Sequence, residues 1–250
     1  MKWIENGFIL GVKNFGDRHI VCSILTQNRG KQKGLIYYGQ NRPHKDNLQS
    51  GIYGDFEWTG RLETQLGFFK TTLDNSPLSL RVEHHFECSL ITIMTTYMDH
   101  FLIEGDVVSG SFYKQTHSVI CSLHYSTSKR QSFYIFILWE LKFLAELGFG
   151  LQLDKCGVTN RKEDLYYISP RTGHIVDRET GEPYKDKLFV VPQCIRKNLS
   201  EAIKNIEIET PSKSSLKKCY EITTHFLRKI EHSQPLPYIR EMLLDPLIGV

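Results

Sequence analysis

Three consecutive stretches decide the fold of the N-terminal part: Ile20-Val21-Cys22-Ser23-Ile24-Leu25, then Gln27-Asn28-Arg29-Gly30, then Gly34-Leu35-Ile36-Tyr37-Tyr38-Gly39. The outer two are short apolar runs rich in β-branched and aromatic residues. The middle one is a hairpin loop whose glycine can take positive φ. Working outward, Phe8-Ile9-Leu10-Gly11-Val12 precedes the turn-like Asn14-Phe15-Gly16-Asp17. Downstream, Phe56 and Trp58 alternate with polar neighbours in Asp55–Thr59, and Leu66 to Leu73 gives a fifth strand. Five short strands in so few residues predict a small closed barrel, because closure removes exposed edges.

After Asn75-Ser76-Pro77 the apolar spacing lengthens to a helical period, and long stretches are nearly free of Gly and Pro. The spacing predicts helices over Leu80–Leu102, Ser111–Tyr125 and Ser132–Leu147. The third is apolar on nearly every side, which marks a helix buried at the centre of its domain. Residues 154–192 interrupt this trend with Gly157, Pro170, Gly173, Gly181, Pro183 and Pro192, a turn-rich excursion. Further helices are expected around Arg196–Ile206, over Ser212–Ile230 with Ser212 as cap, and around Tyr238–Leu244. The fold class is therefore α+β, with a barrel over residues 1–77 and a helical domain over 78–250 that contains the 154–192 insertion.

Composition narrows function by exclusion. The chain has 250 residues, 40% apolar and 24% charged, within ordinary globular usage. Its six cysteines form no CxxC pair, and MKWIENGF has no apolar signal core, so a reduced, cytoplasmic protein is expected. The longest apolar run, Phe133 to Trp139, is far short of the ~20 residues that span a bilayer. Gly30-Lys31 is followed by Gln32, and no glycine lies five residues before it, so there is no P-loop; GxGxxG and GxSxG are also missing. His84, His85, His117 and His124 lack a metal-ligand spacing and read as helical surface residues.

The net charge of +3 hides an uneven distribution. Residues 1–50 carry Lys2, Lys13, Arg18, Arg29, Lys31, Lys33, Arg42 and Lys45 against Glu5, Asp17 and Asp46. Such an excess fits either a polyanion partner or a solvated basic loop. From Arg29 to Lys45 no acid intervenes, and Tyr37, Tyr38 and His44 are interleaved. Cations that track phosphates and rings that stack on bases are what a single strand requires. Adjacent strand residues point opposite ways, so one of Tyr37 and Tyr38 faces the barrel core. The candidate DNA-binding residues are Arg29, Lys31, Lys33, Arg42, Lys45 and Tyr38.

Three stretches resemble the RecO family of bacterial recombination mediators. They are Gly7-Phe8-Ile9-Leu10 through Leu25-Thr26-Gln27-Asn28-Arg29-Gly30-Lys31; Leu48-Gln49 with Trp58-Thr59-Gly60-Arg61-Leu62-Glu63 and Leu66-Gly67; and Leu144-Ala145-Glu146-Leu147-Gly148-Phe149-Gly150-Leu151 with Leu153-Asp154-Lys155-Cys156. The last continues into Tyr167-Ile168-Ser169-Pro170-Arg171-Thr172-Gly173 and Gly181-Glu182-Pro183-Tyr184, and is the most specific. The resemblance implies a five-stranded OB-fold barrel, a helical domain and an embedded zinc-finger-like subdomain. It also implies a non-catalytic role in DNA repair and recombination at the nucleoid: binding single- and double-stranded DNA, annealing complementary strands, and loading RecA with RecR on DNA coated by single-strand-binding protein.

Two departures qualify that expectation. Many family members hold zinc through two cysteine pairs, but here Cys156 faces Thr159, and the later pair is replaced by Val176 and a neighbouring non-cysteine. One thiolate makes no tetrahedral site, so neither metal nor other cofactor is expected. Relatives are also often basic where this chain has Tyr37 and Gln40, which implies modest DNA affinity or reliance on RecR. The acidic tail of single-strand-binding protein needs an apolar groove rimmed by cations, and Lys129 and Arg130 before the apolar helix are either that rim or a solvated loop. Two other classes remain open: an RNA-binding OB adaptor, and a metal-dependent nuclease built on Asp99 and His100.

Overall fold

A computed structural model describes residues 1–37, 48–62, 65–73, 85–126, 128–196, 210–230 and 240. Five strands close into a barrel: β1 (Lys2–Phe15), β2 (His19–Thr26), β3 (Gly30–Tyr37), β4 (Tyr53–Thr59) and β5 (Gly67–Leu73). Their order around the barrel is β1-β2-β3-β5-β4, antiparallel except for a short parallel pairing of Gly34 with Gly67 and Leu35 with Phe68. The barrel expected from the strand pattern is thus present. β1 begins six residues earlier than its apolar run, because Lys2 to Phe8 pair with Thr59 to Tyr53. Its register slips between Ile9 and Gly11. That bulge explains how Phe8, Ile9 and Leu10 can all be buried in a strand whose faces alternate.

Trp3, Ile9, Ile20, Cys22, Ile24, Ile36, Phe56, Trp58 and Phe69 fill the barrel. Trp3 stacks on Trp58 with centroids 5.8 Å apart, and Phe69 meets Trp3 edge-on at 5.9 Å. The outside of β1 is covered too: Phe8 lies 5.0 Å from Tyr113, whose hydroxyl donates to the Asn6 carbonyl.

Helices follow the barrel: α1 (His85–Phe101), α2 (Gly110–Tyr125), α3 (Lys129–Glu146) and, further on, α6 (Lys213–Ile230). The chain forms two compact units, Met1–Lys114 and Gln115–Val250, divided within α2. α3 starts three residues before the expected Ser132, because the Ser128 side chain caps it by accepting from the Gln131 amide. The expected helix around Arg196–Ile206 falls almost wholly outside the described residues. Of Tyr238–Leu244 only Arg240 is described.

In the second unit Phe136, Trp139 and Phe143 stack along α3, and the Trp139 indole donates to Thr116 at 3.0 Å. Glu140 of α3 is fully buried. The Arg240 guanidinium binds both its oxygens at 2.6 and 2.9 Å, bonds Thr223 and Thr224 of α6, and lies 4.0 Å from the Tyr220 ring. A buried carboxylate survives only when its lone pairs are filled in this way.

The 154–192 segment contains more order than its turn composition suggests. β6 (Leu165–Ile168), β7 (Ile175–Asp177) and β8 (Phe189–Val190) form a small antiparallel sheet in the order β7-β6-β8. Short helices α4 (Arg178–Gly181) and α5 (Gln193–Arg196) flank β8.

Removing one partner of the Glu140–Arg240 pair leaves a buried charge without compensation. Glu140→Ala should therefore lower unfolding free energy by about 3–5 kcal/mol, the range for broken buried pairs. The double variant Glu140→Leu, Arg240→Leu should recover much of that loss in denaturant unfolding. Additive losses would show that the two side chains act independently.

Candidate nucleic-acid interface

The β2–β3 hairpin carries three of the expected DNA contacts, and the fold treats each differently. Gly30 takes φ +63 where the hairpin closes, and the Asp106 backbone comes so close that no Cβ would fit. Lys31, next in sequence, points outward from the barrel yet is 5% exposed. Its ammonium meets the C-terminal end of α1, donating to the carbonyls of Asp99 and Leu102 and pairing with the Asp99 carboxylate at 3.2 Å. A lysine has three N–H donors, and all three are used. The helix end also carries partial negative charge, which favours a cation there. Lys31, expected among the DNA contacts, therefore fastens α1 to β3 with its ammonium engaged inside the fold.

Arg29 and Lys33 do reach solvent. Arg29 lies 5.0 Å from the Trp3 ring centroid and 3.5 Å from Glu5; Lys33 pairs with Glu104 at 3.2 Å. The Lys33 pair is exposed on both sides and worth about 0–1 kcal/mol, so a phosphate can displace its carboxylate, whereas Glu5 beside Arg29 is mostly buried. The acids were invisible in the local sequence: Glu5, Asp99 and Glu104 lie far from the hairpin in the chain and arrive through β1 and the end of α1. Tyr38, Arg42 and Lys45 lie outside the described residues.

Of the two adjacent tyrosines, Tyr37 faces outward, because Ile36 occupies the core. It is 58% exposed and lies 5.4 Å from His19, its cross-strand neighbour. Phe68 of β5 is 52% exposed and 6.1 Å from the same imidazole. The expected candidates included neither His19 nor Phe68. Phe68 was detectable as the outward residue in the β5 alternation, whereas its approach to His19 depends on the β3–β5 pairing.

The barrel and helical segments match known sequence families in the same order. The family described as Recombination protein O N terminal matches residues 1–75, and Recombination protein O C terminal matches residues 109–233. A DNA repair protein RecO from Hyphomonas neptunium is 33% identical over 196 residues, covering 78% of this chain and 79% of the relative. One from Ehrlichia chaffeensis is 32% identical over 229 residues, 92% of this chain and 90% of the relative. One from Wolbachia pipientis wMel is 29% identical over 248 residues, 98% of this chain and all of the relative. The chain belongs to the RecO family.

The zinc that the resemblance implied does not fit the embedded subdomain. The buried Cys156 sulfur accepts the Val158 and Thr159 amides, each at 3.4 Å. Thr159 occupies the partner position, and its hydroxyl donates to Asp177 Oδ2 at 2.6 Å. The Thr159 hydroxyl, the Thr180 amide and the Cys156 thiol together hold the Asp177 carboxyl well below the usual carboxylate range. One sulfur and one carboxylate, both already engaged, do not make a four-ligand set. Among the described residues no group of three His, Cys, Asp or Glu side chains is arranged to hold a metal. Asp99 and His100, raised as nuclease ligands, belong to no such group, and Asp99 is committed to Ser23 and Lys31.

Lys129 and Arg130, expected as either a rim or a loop, form the first turn of α3 and are exposed. Cations at a helix N-terminus oppose the macrodipole by a few tenths of a kcal/mol, so helix stability does not account for them. The apolar residues that follow, Phe133 to Leu144, are mostly buried, while Tyr125 just upstream is 76% exposed.

The Asp99 contact generates a pH dependence. Burial raises its pKa, but the Ser23 hydroxyl at 2.6 Å and the Lys31 and Lys33 ammoniums outweigh burial and hold it below the ordinary value. A carboxyl with a lowered folded pKa contributes stability that is present above its unfolded value, about 3.9, and is lost as pH falls through the folded one. Asp99→Asn should cost about 1–3 kcal/mol at neutral pH, the scale of hydrogen bonds to charged groups. It should also flatten the fall in stability below about pH 4. Denaturant midpoints of wild type and variant across that range provide the check.

Proposed function

We propose that this chain is a DNA-binding recombination mediator. It binds single- and double-stranded DNA, anneals complementary strands and, acting with RecR, helps load RecA on DNA coated by single-strand-binding protein. The observation that carries this reading is the coincidence of a five-stranded barrel in OB order with RecO family matches over both the barrel and the helical region. OB barrels present strands β2 and β3 and the adjoining loops to oligonucleotides. Arg29 and Lys33 supply phosphate contacts, Lys33 by exchanging its carboxylate for a phosphate, and Tyr38, Arg42 and Lys45 continue the same basic segment. The chemistry is non-catalytic: base pairing provides the driving force, and the protein lowers the repulsion between strands. The test is annealing of complementary strands precoated with single-strand-binding protein. Wild type should accelerate it strongly over the uncatalysed rate, and Arg29→Ala, Lys33→Ala should slow it and reduce the salt slope of DNA binding by up to about two. No acceleration at any salt concentration would refute the reading.

Lys129 and Arg130 are the proposed rim for the acidic tail of single-strand-binding protein. The first turn of α3 presents both charges in solvent, with the exposed Tyr125 ring close by in the chain as an apolar anchor. Tail-peptide affinity should fall by about 1–3 kcal/mol in the Lys129→Ala, Arg130→Ala variant while naked-DNA affinity is kept. An unchanged peptide affinity would remove the pair from the site.

A further inference from the structure

The end of the barrel opposite the β2–β3 hairpin turn carries a different chemistry, which the basic hairpin does not explain. His19 opens β2, Tyr37 closes β3 and Phe68 sits near the start of β5, so three rings meet on the outer surface. His19 is 5.4 Å from Tyr37 and 6.1 Å from Phe68, both in tilted contacts. Tyr37 and Phe68 are more than half exposed, as is Phe15 of β1, the other cross-strand neighbour of His19, whereas Trp3, Phe56, Trp58 and Phe69 are buried in the barrel. A cleft of about 630 Å³ is lined by Tyr37 of β3, Phe68 and Lys70 of β5 and Glu57 of β4, whose carboxylate is neutralised by Lys2 at 2.8 Å. That volume lies inside the usual range for ligand clefts. Exposed Arg18 precedes His19 in the β1–β2 turn, and exposed Arg61 lies between β4 and β5. These two loops and the β2–β3 face are where an OB barrel meets oligonucleotides.

We infer that His19, Tyr37 and Phe68 form a stacking platform for unpaired bases, with Arg18, Arg61 and Lys70 holding the flanking phosphates. The inference rests on the DNA-binding reading above and adds to it a preference for single strands. A ring can stack only on a base whose face is free; in a duplex both faces are covered by neighbours. A protein partner would also accept exposed rings, but Arg18 beside His19, Lys70 in the cleft and the position of both on the oligonucleotide face favour a polyanion carrying flat apolar groups. The platform binds through stacking, so it contributes little to the salt dependence, which the phosphate contacts carry.

The test is equilibrium binding of a labelled oligothymidylate and of a blunt duplex of equal length to the full chain. Tyr37→Ala and Phe68→Ala should each weaken single-strand binding roughly fivefold or more, the lower end of measured base-stacking losses. Both should leave the salt slope unchanged and duplex binding within about twofold. Tyr37→Phe keeps the ring and should bind as wild type does. Because both side chains lie on the surface, the thermal melts should stay at the wild-type value. A double Tyr37→Ala, Phe68→Ala variant with wild-type single-strand affinity overturns the platform alone, as does an equal loss for single strand and duplex. A loss in Tyr37→Phe as large as in Tyr37→Ala also overturns it. Wild type that binds neither probe overturns the DNA-binding reading itself, and the platform with it.

Discussion

The buried ammonium of Lys31 fixes the architecture of the first unit. Burying a cation without partners costs several kcal/mol, so the position next to Gly30 tolerates lysine only because the end of α1 supplies two carbonyls and a carboxylate. The two carbonyls are among those a helix C-terminus leaves unsatisfied, so one side chain resolves two problems at once. Around this contact Gly30 admits the Asp106 backbone, the Glu104 segment bridges to Lys31, and Ser23 adds its hydroxyl to Asp99. The barrel and α1 are thereby joined through polar groups whose geometry is directional, where apolar contact alone would allow sliding.

The same contact determines what remains for nucleic acid. Along the chain, Arg29, Lys31 and Lys33 are three equivalent basic residues with no acid nearby. In space they divide by burial: Lys31 is sequestered, Arg29 is partly exposed beside a mostly buried Glu5, and Lys33 is held in an exposed pair weak enough to exchange. The energetics of partial burial, rather than formal charge, separates a structural cation from a binding one. This is why a stretch that reads as a uniform basic patch does not fold into one.

The barrel was legible because its signals are local. Alternation in Asp55–Thr59, the glycine at 30 and the apolar runs on either side of it fix strands and turns without knowledge of the rest of the chain. The helices read well for the same reason, although α3 starts three residues ahead of the expected Ser132 because the Ser128 side chain caps it. What the sequence concealed is non-local. The bulge after Ile9 shows only as an apolar triplet. The Glu140–Arg240 pair joins residues a hundred positions apart. The His19–Phe68 approach needs the β3–β5 pairing, the only parallel strand pairing among the described residues of the barrel. A reading confined to one segment therefore reaches Arg29 and Lys33 but not His19 and Phe68, which two other strands bring beside Tyr37.

In the embedded subdomain a threonine and an aspartate make the cross-link between separate turns. A metal site joins separate turns by sharing ligands among them; here the Cys156 turn and the β7 end are joined by the Thr159 hydroxyl and the Asp177 carboxylate. Asp177 also accepts the Thr180 amide at 2.9 Å and so caps α4, which couples the cross-link to the next element. Each of these bonds is worth far less than a zinc site, whose apparent binding energy reaches about 10–16 kcal/mol in small domains. The difference is tolerable because the subdomain is not isolated. Its sheet has an apolar cluster of Cys156, Tyr167 and Val176, with Leu165, Tyr166, Leu188 and Val190 packed against it. Arg196 bonds the Leu165 and Val191 carbonyls, tying α5 to the sheet. A segment that already has a core needs only enough directional bonding to fix its register, and a threonine paired with an aspartate supplies that without dependence on metal supply or thiol oxidation.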